Sequence, residues 1–425
     1  MTSDWMMTAA ATAANFDVET ATRAYLESLQ GPARAKSDAY FEGGYWLILW
    51  GTLVGVAVHW AMLHFGWSAA WGRWTERVTG GRARQAALYA IPFTLVGALL
   101  ALPWTIYTGY FREKKYGLLN QDFGAWASEQ AISLAVSLVI TAIILTVIFA
   151  MIRRSPRRWW LWGGAAMTAV IAVMVAVAPV FIAPLFNTYT PMDEGQLRDE
   201  ILAMAKAHDV PADNVYVFDA SKQTKRISAN VSGLGPTIRI SLNDNLLNRT
   251  SPAETKAVMG HELGHYVLNH VATLILYLSL MIITFLLFLW WATPRILARY
   301  GQKWGVRDVT DPAVTPLFAL IAAVAGLIAT PLFNTIIRTH ELQADAFGLD
   351  AAREPDGFAL TAMKLSEYRK IEPSPFEEAI FFDHPSGRTR VHMAMEWKAR
   401  HLAQLPFEKR AMVVPPVSPG EAPAP

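Results

Sequence analysis

The chain has 425 residues, 53% of them hydrophobic, with 16 tryptophans, no cysteine and a net charge of +2. Its mean hydropathy of +0.24 is high for a soluble protein. Disulfides and thiolate metal ligands are excluded, and basic residues that fall in loops rather than on one face give no nucleic-acid-binding surface.

From the N-terminus, Met1 to Asn15 lacks a basic start followed by an apolar core, so no cleavable signal peptide is expected there. Asp17 to Leu29 has the pattern of an amphipathic helix, read as a lid or surface helix within an N-terminal segment of residues 1–42. Six stretches without Asp, Glu, Lys or Arg then exceed the roughly 20 residues that cross a bilayer. They are residues 43–72, 86–111, 131–152, 159–186, 271–294 and 313–337. One such stretch could be a buried helix of a large soluble enzyme; six could not. Trp46, Trp50, Trp159, Trp160, Trp290 and Trp291 near their ends suit the aromatic belts of a bilayer. The expected organisation is a four-span region at 43–186, a soluble insertion at 187–270, two spans at 271–337, a C-terminal catalytic part at 338–403 and a disordered tail at 404–425, proline-rich from Val413.

Within the insertion, Glu194 to His208 has helical periodicity, whereas Asn214 to Asp219 and Thr237 to Leu242 alternate as strands, with a turn over Ser232 to Pro236. Ser251, Pro252 and Glu254 form a capping box that opens a helix. On it lies H-E-x-x-H: His261, Glu262 and His265. Four residues advance a helix about 40° beyond a full turn, so both imidazoles face the same way and one divalent metal could hold both. Glu262 beside them could then deprotonate a water activated by that metal. A catalytic metal needs a third protein ligand. Glu341 and Asp345, four residues apart directly after an apolar span, offer one, with Asp345 placed to accept a hydrogen bond from the second nitrogen of a ligand imidazole. A merely solvated acidic face is the alternative, disfavoured by that adjacent span. Of the other histidines, His59 and His64 lie in the first span and are either functional groups, as ionisable side chains within a membrane are by default, or reach water near its interface; His270 falls on a different helical face from His265 and marks the membrane boundary, and His340 faces away from Glu341.

The pair of motifs resembles the type-1 CAAX prenyl protease family of integral-membrane zinc metalloproteases. Asp219 to Lys222, Gly233-Leu234, Ile240 to Leu247, and His384-Pro385 with Arg390 extend the likeness over most of residues 86–395. The resemblance implies a mainly α, polytopic membrane protein with a gluzincin-like metalloprotease domain that contains a small β-sheet. It implies one Zn2+ per chain on His261, His265 and Glu341, Glu262 as general base, Asp345 behind a ligand imidazole, and His384 with Arg390 orienting substrate or stabilising the oxyanion. It puts a substrate-binding strand edge at Ser228, Ala229 and Asn230, an ordinary hairpin being the alternative; the family commonly has Asn where Ser228 stands. It also implies a water-filled chamber, which would account for Thr105, Tyr107 and Asn334 in apolar helices.

The expected function is therefore a monomeric, membrane-embedded zinc endopeptidase that cuts near the C-termini of prenylated CAAX-type or other membrane-associated peptide substrates. Broad quality control of membrane proteins is the alternative, followed by a non-catalytic zinc-stabilised scaffold or transporter. Family members typically have seven spans. Six counted here, with the N-terminal one missing, leave the N-terminus on the catalytic side. Arginines and lysines crowd the opposite loops, which by the positive-inside rule puts the zinc domain outside the cytoplasm. The family's topology puts it in the cytoplasm, and that is the assignment adopted.

Overall fold

The computed structural model of the chain describes residues 16–233, 238–411 and 413. The expectations for Met1 to Asn15, for Leu234 to Pro236 of the turn and for the tail beyond Val413 lie outside those residues.

Helix α1, Val18–Leu26, is capped by the Asp17 carboxylate, which accepts from the backbone of Glu19 and Thr20. It is amphipathic as expected, with Thr20 and Arg23 on an exposed face and the opposite face packed inward. Ala21, Tyr25 and Leu26 are buried in a core with Phe358, Ala362, Val391 and Trp397. The Tyr25 hydroxyl also donates to Asp356 Oδ1 at 2.7 Å, a carboxylate shared with the buried Lys398. An apolar face of this size is worth more packed than hydrated.

Next come α2 (Gly31–His64), α3 (Trp67–Thr79), α4 (Arg82–Ile106), α5 (Phe123–Arg154) and α6 (Trp159–Val177). The first apolar stretch was expected to run to residue 72, but α2 begins earlier and stops at His64, because Gly66 takes φ +70° and turns the chain. Residues 67–72 belong instead to α3, which buries Ser68, Ala69, Gly72 and Thr75. There follow β1 (Tyr189–Pro191), α7 (Gln196–Ala207), β2 (Val215–Phe218), β3 (Ala229–Ser232), β4 (Arg239–Asn243), α8 (Asp244–Arg249) and α9 (Pro252–Val267). The chain then forms α10 (His270–Trp304), α11 (Thr315–Ala352), α12 (Pro355–Leu365), α13 (Pro375–Phe381) and α14 (Gly387–His401).

Two compact units result. One comprises Trp46–Phe186 and Ala272–Thr330. Its core includes Leu63, Tyr89, Phe149, Trp159 and Leu289, and Ser68 ties it together by donating to the Ala313 carbonyl and pairing with the Tyr89 hydroxyl. Leu99, Val139, Phe181 and Ile328 stand exposed on its outside, Ile328 by 75%, a surface that suits lipid and not water. Among the described residues six helices are long and apolar enough to cross a membrane. Thr105 needs no aqueous chamber, because its hydroxyl returns a hydrogen bond to the Ala101 carbonyl four residues back. Asn334, in the other unit, likewise donates to the Ile380 carbonyl.

That other unit joins the described parts of Met1–Tyr45, Asn187–Val271 and Pro331–Pro425. Its sheet runs β1-β2-β4-β3, with β2 and β4 parallel and the two outer pairings antiparallel. Ile201, Val215, Ile240, Leu242, Leu246, Met259 and Leu263 form one core that packs the sheet on α7, α8 and α9.

One very tight approach in this unit is between α9 and the end of α11. A Cβ on Gly348 would sit 2.7 Å from the His261 nitrogen, one on Gly260 2.9 Å from the Gly348 carbonyl oxygen, and one on Gly264 3.2 Å from Ala344 Cα. The two backbones touch because side chains are absent from both. Gly348→Ala must therefore push them apart. It is expected to lower unfolding stability by about 1–3 kcal/mol, the usual cost of overpacking, read from denaturant unfolding of the detergent-solubilised protein; an unchanged midpoint would refute the contact.

Candidate active site

The capping box that opens α9 is present in full: Ser251 N donates to Glu254 Oε2 at 2.8 Å and Glu254 N to Ser251 Oγ at 3.4 Å. With the helix start fixed, His261 and His265 stand one turn apart, their Nε2 atoms 3.1 Å from each other. The close crossing brings α11 alongside. Glu341 Oε2 lies 3.3 Å from His261 Nε2, and Oε1 lies 3.4 Å from His265 Nε2.

These three side chains offer donor atoms all within 4.8 Å of one another. Glu341 Oε2 is buried with no aligned hydrogen-bond donor. A buried carboxylate oxygen left so is costly unless a cation shares the site. Two imidazoles and a carboxylate also form the nitrogen-and-oxygen donor set that zinc-type ions take. The residues therefore fit a metal.

Behind His261, Nδ1 lies 2.8 Å from Asp345 Oδ1. The same oxygen accepts from Arg390 Nη2 at 2.5 Å. Arg390 is thus engaged by Asp345 and rests over the Phe358 ring, 5.1 Å from its centroid. Burial opposes a charge on His261, but Asp345 and Glu341 outweigh it and hold the imidazole up at about 10. Burial and the neighbouring His261 charge push His265 down to about 4.

Glu262 is walled by protein yet opens on a cavity of about 270 Å³, lined also by Ser228, Ala229, His261, Glu341, His384 and Arg390. Burial pushes its carboxyl up to about 7. His384 Nε2 comes to 3.2 Å from Glu341 Oε2, while its Nδ1 is 2.8 Å from Asp383 Oδ1. Partial desolvation opposes a charge on the exposed Asp383, but His384 keeps its carboxyl below the usual carboxylate range.

Ser228 precedes the outer strand β3. Its carbonyl accepts from Asn243 N at 2.9 Å and its N–H donates to Asn243 Oδ1 at 3.1 Å. Asn243 further holds the Arg226 carbonyl and caps α8 at Leu246 N. The main chain of Ser228 is therefore turned toward β4. By the alternation of an antiparallel ladder, Asn230 turns the same way and Ala229 and Val231 face the open edge. Ser228 and Ala229 line the cavity, whereas Asn230 is not among its lining residues.

One histidine departs from expectation. His270 does not merely mark a boundary: its Nδ1 lies 2.9 Å from His265 Nδ1, and its ring stacks on His340 at 4.5 Å and 8°. The helical count from His265 fails because α9 ends at Val267 and Asn269 turns left-handed at φ +55°. His340, expected to face away from Glu341, is buried against that ring. The sequence signals Asp383 only by its adjacency to His384, and Asn243 only by its place in the Ile240 to Leu247 stretch.

The model of peptidase family M48 matches residues 191–398. That of the CAAX prenyl protease N-terminal region, described as five membrane helices, matches residues 26–188. An uncharacterised metalloprotease, YhfN of Bacillus subtilis, is 29% identical, over 80% of this chain and 81% of its own. The CAAX prenyl protease 1 homolog of Dictyostelium discoideum is 30% identical over 68% of each chain, and CAAX prenyl protease 1 of Saccharomyces cerevisiae 27% over 70% and 69%. The crystal structure of S. mikatae Ste24p superposes with a TM-score of 0.72 at 20% identity, covering 92% of this chain and 99% of that one, and so shares the fold. With membrane region and catalytic region both matched, the chain belongs to the CAAX prenyl protease family of M48 membrane metalloproteases.

Proposed function

We propose that the protein is a zinc endopeptidase that cleaves near the C-termini of membrane-associated peptides, prenylated CAAX tails among them. The observation that carries this reading is the convergence of His261 Nε2, His265 Nε2 and Glu341 on one buried point beside Glu262. His261, His265 and Glu341 hold the zinc, which supplies the Lewis acidity that activates water and polarises a scissile carbonyl. Glu262 takes the proton from the attacking water and passes it to the leaving amine, a task for which a carboxyl near 7 is suited. Asp345 fixes the His261 tautomer by accepting from Nδ1.

Arg390 acts through that carboxylate, holding Asp345 in place, while it also lines the cavity. His384, facing the cavity with Asp383 behind it, is the group that stabilises developing charge. An extended peptide adds to the sheet along β3 through the main chain of Ala229 and Val231, not of Ser228 and Asn230. The prenylated substrate class rests on the names of the relatives. Its test is a comparison of kcat/KM on one C-a-a-X peptide with and without a farnesyl group, where equal values would remove prenyl specificity.

Glu262→Gln is expected to lower kcat by about 10²- to 10⁴-fold while zinc content stays at one per chain, since the base is not a ligand; appreciable turnover would refute its role. Glu341→Ala should lose zinc and activity together. Asp345→Ala should weaken zinc affinity by about 10- to 100-fold in chelator competition, and unaltered affinity would return Asp345 to a structural part.

The catalytic unit faces the cytoplasm. With the six membrane-length helices of the described residues all crossing, a cysteine introduced beside Arg82, in the loop between α3 and α4, should be labelled by an impermeant reagent from outside the cell. Protection of that cysteine would reverse the topology.

A further inference from the structure

His265 differs from His261 in what stands behind it. Its Nδ1 meets another imidazole, His270 Nδ1 at 2.9 Å, and His270 Nε2 in turn lies 3.0 Å from Gln343 Oε1. His270 is 5% exposed and its ring lies flat on His340. The direction of this chain of hydrogen bonds follows from its outer end. An amide oxygen can only accept, so His270 Nε2 carries the proton; in a neutral imidazole Nδ1 is then an acceptor. His265 Nδ1 must therefore donate, and His265 Nε2 is left with its lone pair aimed at Glu341 and at His261 Nε2. The reverse direction would put a proton on His265 Nε2, where a metal must bind.

We propose that His270, oriented by Gln343 and braced by His340, is a positioning residue that sets the tautomer and ring plane of His265 for metal binding. This rests on the zinc-site reading above. Asp345 does the same for His261, so α11 controls both imidazoles of α9, one through a carboxylate and the other through a neutral relay. The left-handed Asn269 is what brings His270 back over His265, since a continuous helix would carry position 270 away.

The test is zinc affinity of the full-length protein in detergent, by competition with a chelator, for three variants. His270→Asn places an oxygen near the position of Nδ1 and keeps an acceptor for His265. His270→Gln reaches the position of Nε2 instead and lacks that acceptor, and His270→Leu lacks any. Asn should bind zinc close to wild type, whereas Gln and Leu should bind about 10- to 100-fold more weakly, with KM unchanged at saturating zinc. Should the Leu variant fail to fold, as judged by its circular dichroism melt, the Asn–Gln comparison alone decides. Wild-type affinity in a folded Gln or Leu variant overturns the proposal, as does an Asn variant no better than Gln. A wild-type protein that binds no zinc would overturn the site reading itself, which separates the two failures.

Discussion

Everything at the catalytic centre depends on how closely two helix backbones approach. Gly260 and Gly264 on α9 face Gly348 and Ala344 on α11, and the spacing between them leaves no room for a further methyl group. Only at that distance does Glu341 come between the imidazoles, Asp345 behind His261 and Gln343 within reach of His270. Most of the polar chemistry is thus a by-product of a steric fact. The positions of a carboxylate, its neighbouring imidazole and the second-row acceptors are all registered against one crossing, so none can shift without the others.

That crossing also explains how charge is tolerated inside the unit. Asp345 is fully buried yet serves both His261 and Arg390, and Arg390 gives its cationic face to Phe358. An isolated carboxylate at this depth would be prohibitive, whereas one that accepts from an imidazole and a guanidinium is not. The N-terminal helix α1 contributes in the same currency. Tyr25 and Lys398 converge on Asp356, so a segment that reads as peripheral is fastened to the helices that carry Arg390 and the cavity wall.

Much of this was legible in the sequence wherever structure repeats with a fixed period. The six apolar stretches, the capping box before His261 and the four-residue spacings of His261–His265 and Glu341–Asp345 are local patterns, and each falls on helical structure, the first stretch on two helices. Legibility ended where the period broke. Asn269 interrupts the count that would have located His270, and Gly66 splits what composition joins into one apolar run. It ended again where side chains meet across long separations. Nothing near Val18–Leu26 announces a partner at Asp356, and Asn243 looks like an ordinary strand residue until its amide is seen to hold residues 226, 228 and 246.

The grip of Asn243 on Ser228 has a consequence for register. Because the main chain at 228 is turned inward, the free groups along β3 begin at Ala229 and recur at Val231, one outward residue in every two. A guest chain bonded to such an edge can slide only in steps of two residues if its side chains are to keep their faces. If a substrate docks there as proposed, the strand would act as a ruler with a two-residue graduation, and cuts displaced by one residue would require the guest to turn over and exchange the face it presents to the cavity.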